Sequence, residues 1–135
     1  MKKLLLAFSL LTATLHAELP NFASLPDFQR ANHCDAFSSQ CLLVLHSKGI
    51  PATQIFYKWS APCGTGAHAA ILFQYRGSFY FMDNQRSAPR KVTAKTDRQC
   101  VVQVTPKEAF VQLVDRSGRP LAAQSMAARF AKAGI

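Results

Sequence analysis

From Cys34 onward the apolar positions Phe37, Cys41, Val44 and Leu45 recur at helical spacing. Gly49 supplies a stop just past the last periodic residue and Pro51 prevents continuation, so the pattern predicts a helix over residues 33–48 with Cys34 in its first turn. The period then changes. TQIFYKW (53–59), AHAAILFQY (67–75), SFYFMD (78–83) and QCVVQVT (99–105) are rich in aromatic and β-branched residues, and Gly, Pro, Ser or charged clusters separate them. They are predicted as strands. The loop SAPCGTG divides the first two, and Arg76-Gly77 marks a tight hairpin. Thr105 as N-cap before Pro106 at the first helical position predicts a helix over 106–116, ended by Ser117-Gly118. An Ala-rich helix is expected over 121–132. Residues 18–31, with Pro20 and Pro26, lead into this order of helix, meandering sheet and helices. The fold class is therefore α+β: an N-terminal helix packed on a small antiparallel sheet, with helices at the C-terminus.

The beginning of the chain changes how the rest is read. MKKLLLAFSLLTATLHA has two lysines, an apolar run and a small-residue ending, the pattern of a secretory signal peptide. Its apolar core, Leu4 to Leu15, falls short of the roughly 20 residues that span a bilayer. Cleavage after Ala17 is expected, with Ala13 the lesser site, leaving residues 18–135 as a single domain without a stable membrane anchor. The protein is then periplasmic or secreted.

Without Lys2 and Lys3 the chain carries 14 lysines and arginines against 7 acids, a net charge of +7. That balance favours anionic partners, such as an envelope polymer or acidic protein surfaces. The densest basic group, Arg86, Arg90, Lys91, Lys95 and Arg98, accompanies no nucleic-acid motif, so it reads as a solvated face and no nucleic acid is expected as partner.

Export places the four cysteines in an oxidising compartment, where free thiols tend to pair. Cys34 and Cys41 cannot bond within one helix: seven residues at 1.5 Å each separate them by about 10.5 Å along the axis, beyond the roughly 7 Å a disulfide allows. Cys41 reads as a buried apolar residue. Cys63, in a loop, and Cys100, on an expected strand, are the candidates for a disulfide, which leaves Cys34 free.

A free Cys34 at a helix N-terminus has chemical meaning. Unsatisfied N–H groups and the helix dipole favour a thiolate there, and the same N–H groups can face charge developing on an attacked carbonyl. A two-residue loop at Arg76-Gly77 pairs Tyr75 with Ser78, Ala70 with Asp83 and His68 with Gln85. His68 and Asp83 are then diagonal neighbours on one face, about 7–8 Å apart at Cβ or somewhat less. A three-residue loop would put Asp83 on the other face. Nucleophile, base and orienting group are all available from these three side chains.

The helix that begins at Cys34 and closes in LHSKGIPA resembles the active-site helix of the transglutaminase-like, papain-related superfamily. GAHAAILFQYRGSFYFMDNQ resembles the His strand and Asp strand that follow it. The pattern is most similar to the bacterial transglutaminase-like cysteine proteinases and covers residues 33–85. The resemblance implies Cys34 as nucleophile, His68 as base and Asp83 as the orienting group. It implies an exported enzyme that cleaves peptide bonds of envelope proteins or peptides, with acyl transfer also within reach of the thioester. Gln29 is the candidate side chain for completing an oxyanion hole with the backbone at Cys34. Members often carry acids on both sides of the nucleophile, in some linked to calcium; here only Asp35 follows and His33 precedes, so no calcium or other cofactor is carried over. A zinc site drawn from His33, Cys34, Cys63 and His68 lacks paired ligand spacing. Two other readings stand beside this one. One is a peptidoglycan peptide hydrolase of the same fold; the other is a non-catalytic, disulfide-stapled binding or inhibitor protein of the envelope.

Overall fold

A computed structural model describes residues 18–105 and 110–133. The expected leader, residues 1–17, and the start of the expected helix at Pro106 lie outside the described residues. After a short 3-10 turn at Phe22–Ser24 come α1 (Cys34–Ser47), β1 (Ala52–Ala61), β2 (Gly64–Tyr75), β3 (Ser78–Met82) and β4 (Arg90–Val92). Then follow α2 (Asp97–Val104), β5 (Phe110–Val114) and α3 (Met126–Ala133). The strands form one sheet in the order β4-β3-β2-β1-β5, every pair antiparallel. The α+β class and the helix packed on an antiparallel sheet are as the pattern predicts. None of the helices among the described residues is long and apolar enough to cross a membrane.

The ends of α1 follow from its sequence. Gly49, at φ 72°, takes the left-handed position past the C-cap, its N–H bonds His46 O at 3.0 Å, and the N–H of Ile50 bonds Leu45 O at 3.0 Å. Those two bonds satisfy carbonyls that the last turn would leave open. The β2–β3 hairpin turns on Arg76 and Gly77, both at positive φ, and pairs Tyr75 with Ser78 as the two-residue loop requires.

Three expectations are corrected. Residues 99–105 are not a strand: Asp97–Val104 is helix α2, whose N-cap Thr96 accepts a hydrogen bond from the Gln99 N–H. Cys100, Val101 and Val104 turn one face of it into the core. The described part of the expected 106–116 helix is strand β5, with Val111 and Leu113 buried on alternating positions and pairing along β1. Thr105 ends α2 instead of capping a new helix, and its Oγ1 donates to Val101 O at 2.6 Å. The last helix starts at Met126 instead of 121, because Leu121 is drawn into a hydrogen bond with Leu113 O beside β5.

The sheet is covered on both faces. Helix α1 buries Phe37, Cys41 and Leu45 against Ala52, Ile71, Phe73 and Met82. On the opposite face α2 and α3 bring Cys100, Val101, Val104 and Met126 onto Ile55, Tyr57, Ala70, Leu72, Phe81 and Leu113. The basic residues Arg90 and Lys91 lie exposed on the edge strand β4, where charge discourages strand addition from another chain.

Gly66 marks a close approach across the β1–β2 ribbon. It pairs with Trp59, and a Cβ there would sit 2.8 Å from Trp59 Cζ2 and 2.9 Å from Cε2. Gly66→Ala is therefore expected to displace the indole, which packs on the core, and to cost about 1–3 kcal/mol in urea unfolding. An unchanged midpoint would show that the ring moves aside freely.

Candidate active site

One irregularity of the sheet makes room for chemistry. Strand β2 is 12 residues long, yet β3 pairs with it only from Ile71 to Tyr75. Among the described residues, the edge of β2 from Gly64 to Ala70 has no strand neighbour on that side. The segment before α1 and the turn after β3 meet there: the Gln29 N–H donates to Asn84 O at 2.8 Å, and Asn84 Nδ2 donates to Arg30 O at 3.0 Å.

Asp27 fixes the direction from which the chain enters α1. Its Oδ2 accepts from Gln40 Nε2 at 2.6 Å, and its Oδ1 lies 2.8 Å from His33 Nδ1. The His33 side chain is thus turned to Asp27 and makes no capping bond to the helix that it precedes. Cys34 is the first residue of α1, half-buried and free as a thiol. The first-turn N–H groups of the helix therefore receive no side-chain cap from His33. Just upstream, Gln29 and Asn32 hold φ values of 59° and 62°. The left-handed region is routine for Asn but costs Gln on the order of 1 kcal/mol, a strain held here by the Asn84 lock.

His68 and Asp83 come together as the register predicts: His68 Nε2 lies 3.1 Å from Asp83 Oδ2. A carboxylate oxygen accepts, so Nε2 carries the proton and Nδ1 is the nitrogen left for a second partner. Tyr57, directly opposite His68 in the ladder, sets its ring edge-on to the imidazole with centroids 5.6 Å apart. The other oxygen of Asp83 accepts the Gln85 N–H at 3.1 Å and faces Arg86 Nε at 3.6 Å. Both members of the pair are sheltered, with side chains 12% and 5% exposed, which lowers the dielectric around the hydrogen bond.

By its place in the ladder His68 shares the Tyr57 face of the sheet, and Cys34 begins the helix that covers the other face. They line the same two cavities. One, of about 200 Å³, is apolar and bounded by Phe56, Tyr57, Ala69 and Val114, with Arg116 at its rim. The other, of about 320 Å³, is polar and bounded by Gln29, Asn32, Asn84 and Gln85. The residues expected as nucleophile and base thus border both cavities, Gln29 borders the polar one, and the buried Asp83 stands behind His68. Asp27, Asn84 and Arg86 are the supporting residues that the sequence did not reveal. Their partners lie up to 54 positions away, and only Asn84, next to Asp83 in DNQ, carried a hint.

Asp35 has a different task from the one a calcium site would give it. Arg116 Nη1 bridges both its oxygens at 3.1 and 2.9 Å, Arg116 Nη2 donates to Gln54 Oε1, and the guanidinium lies over Phe56. That carboxylate is thus engaged by a guanidinium, and no group of three or more His, Cys, Asp or Glu is placed to hold a metal among the described residues. The expected Cys63–Cys100 bridge is not formed. Cys63 is exposed in the turn between β1 and β2, while Cys100 lies on α2 and points into the core, its Sγ 3.5 Å from Ala94 O. Burial pushes the Cys41 thiol up to about 12, and burial with the nearby Asp97 carboxylate pushes Cys100 up to about 11. No protein-family model, curated protein or solved structure matches this chain.

Proposed function

We propose that this protein is a cysteine hydrolase of the transglutaminase-like, papain-related type, which cleaves amide bonds of proteins or peptides in the cell envelope after export. The observation that carries the reading is the sheltered His68–Asp83 hydrogen bond opening onto the cavities that Cys34 borders. In this mechanism the Cys34 thiolate attacks the amide carbonyl, and the oxyanion is met by the backbone N–H at the start of α1 and the Gln29 side chain. The His68 imidazolium gives its Nδ1 proton to the departing amine as the C–N bond breaks, leaving a thioester on Cys34. His68 then takes a proton from water, the hydroxide adds, and the carboxylic acid leaves as the C–S bond breaks. Asp83 holds the ring in the tautomer that both steps need, the logic of every triad of this kind. The excess of basic residues favours a second substrate, the stem peptides of an anionic wall polymer. Release assays on purified cell wall and on protein substrates distinguish the two.

The first test is thiol mapping of the folded, unreduced protein. Brief iodoacetamide treatment near pH 6 is expected to modify Cys34 ahead of the exposed Cys63, while Cys41 and Cys100, buried and held as neutral thiols, stay unmodified until unfolding. Amide hydrolysis should be lost in proportion to Cys34 alkylation. Recovery of Cys34 in a disulfide-linked peptide, or activity that survives its alkylation, would favour the binding-protein reading instead.

A further inference from the structure

Arg86 is unusual among the charged side chains near the opening. Its Nε is buried and has no hydrogen-bond partner among the described residues, although a guanidinium N–H in that situation normally finds one. Asp83 Oδ1 lies 3.6 Å from it, within ion-pair range but too long for a hydrogen bond. The rest of the group is fixed. Nη2 donates to the carbonyl of Val104 at 3.2 Å, one of the acceptors that the C-terminus of α2 leaves open, and the guanidinium lies 5.3 Å from the centroid of the fully buried Phe81 ring.

We propose that Arg86 is a positioning residue for the pair His68–Asp83, holding the carboxylate plane so that Oδ2 stays on the imidazole. Without it, the Gln85 N–H is the one remaining donor to Oδ1 among the described residues, and that bond and the one to His68 itself are what limit rotation about the carboxylate's broad terminal torsion. The guanidinium restrains that rotation further because it is anchored at three points: a helix-terminal carbonyl, an aromatic face and the ion pair. Closing 3.6 Å to hydrogen-bond length needs a shift of about 0.6 Å, which would satisfy the orphan N–H. A lysine cannot reproduce this. Its ammonium is a point charge without the planar fork that lies on Phe81 while one nitrogen reaches Val104 and another faces Asp83. The same contacts explain why α2 matters to a site that it does not touch: its last carbonyl sets where Arg86 sits.

The test reads the imidazole directly, with 15N-labelled full-length protein and His33 and His46 as internal references. In the wild type His68 is expected to show a single Nε2–H tautomer with a slowly exchanging ring proton. In Arg86→Gln, with the backbone amide spectrum otherwise preserved, ring-proton exchange should quicken by about tenfold or more, or both tautomers should appear. Arg86→Lys should behave in the same way. Amide hydrolysis should lose about 10–100-fold in kcat with KM within about twofold, as expected when geometry and not binding is disturbed. His68 ring signals identical to wild type in either folded variant would overturn the inference. A check that alters neither Arg86 nor the fold comes from the Arg86 Nε–H resonance of the wild type. It should move in Asp83→Asn, and indifference to that substitution also overturns the proposal. The kinetic arm rests on the hydrolase reading, whereas the ring signals do not. Altered tautomers in a protein that hydrolyses nothing would leave the positioning role standing and remove the enzyme.

Discussion

Cys34→Ser is expected to lower amide hydrolysis by about 10⁴-fold or more, His68→Ala by a similar factor, and the double variant no further than the worse single one. The reason is that the two side chains act as one unit. Serine keeps the size and the place at the start of α1, but its oxygen gives up a proton far less readily than sulfur, and the adjacent imidazole cannot make up the difference. Alanine at 68 leaves the thiol in place with nothing to protonate the departing amine. Neither residue belongs to the two clusters that form the core, so Cys34→Ser should unfold close to wild type, whereas His68→Ala, which leaves the sheltered Asp83 oxygen without its partner, should lose about 1–3 kcal/mol while remaining folded. The informative measurement is a single-turnover assay of amide release for both singles and the double. Losses that multiply in the double variant would mean that Cys34 and His68 work independently. The cavities they share would then need another explanation.

Much of this arrangement is legible in the sequence because local chemistry determines it. Arg76-Gly77 between two alternating strands leaves few options other than a two-residue turn, and that turn alone carries His68 to Asp83. Gly49 stops α1 for equally local reasons. The failures lie where two local messages competed. Cys100-Val101-Val102 has the β-branched look of a strand, but Thr96 with Gln99 three residues on is a capping signature, and the cap prevails because the buried face recurs with helical period. Thr105-Pro106 looks like a helix start, whereas the alternation Val111, Leu113 is the message that β1 reads, from some 55 residues away in sequence. Such pairing rewards a pattern only once the partner strand is in place, so β5 could not be told from its own residues. The supporting residues of the site were hidden for the same reason. Asp27 means nothing until α1 brings Gln40 and His33 beside it, and Arg86 means little until α2 is recognised as a helix with a terminal carbonyl to offer.

The largest stability effect is expected on the face of the sheet that α2 and α3 cover, in Asp97→Ala. Asp97 is fully buried, and its oxygens are completely used: Oδ1 accepts the N–H groups of Arg98 and Gln124 at 2.7 and 2.9 Å, and Oδ2 accepts Arg129 Nε at 3.0 Å. Arg129 in turn reaches Thr53 Oγ1 on β1 at 3.0 Å, so one carboxylate ties α2, the chain before α3 and the sheet together. Removing it leaves a guanidinium that is only 14% exposed without its counter-charge, and two N–H groups without acceptors. Breaking a buried pair in this way costs about 3–5 kcal/mol, a large share of the 5–15 kcal/mol that holds a domain of this size. The pair itself is worth less than that figure suggests, since much of the loss is the stranded charge. Asp97→Ala combined with Arg129→Met should therefore recover part of the stability lost in Asp97→Ala alone, and urea unfolding of the four proteins measures the coupling. Full additivity would show that water reaches Arg129 once Asp97 is gone. The linkage among α2, α3 and β1 would then rest on the apolar contacts of Met126 and Val101.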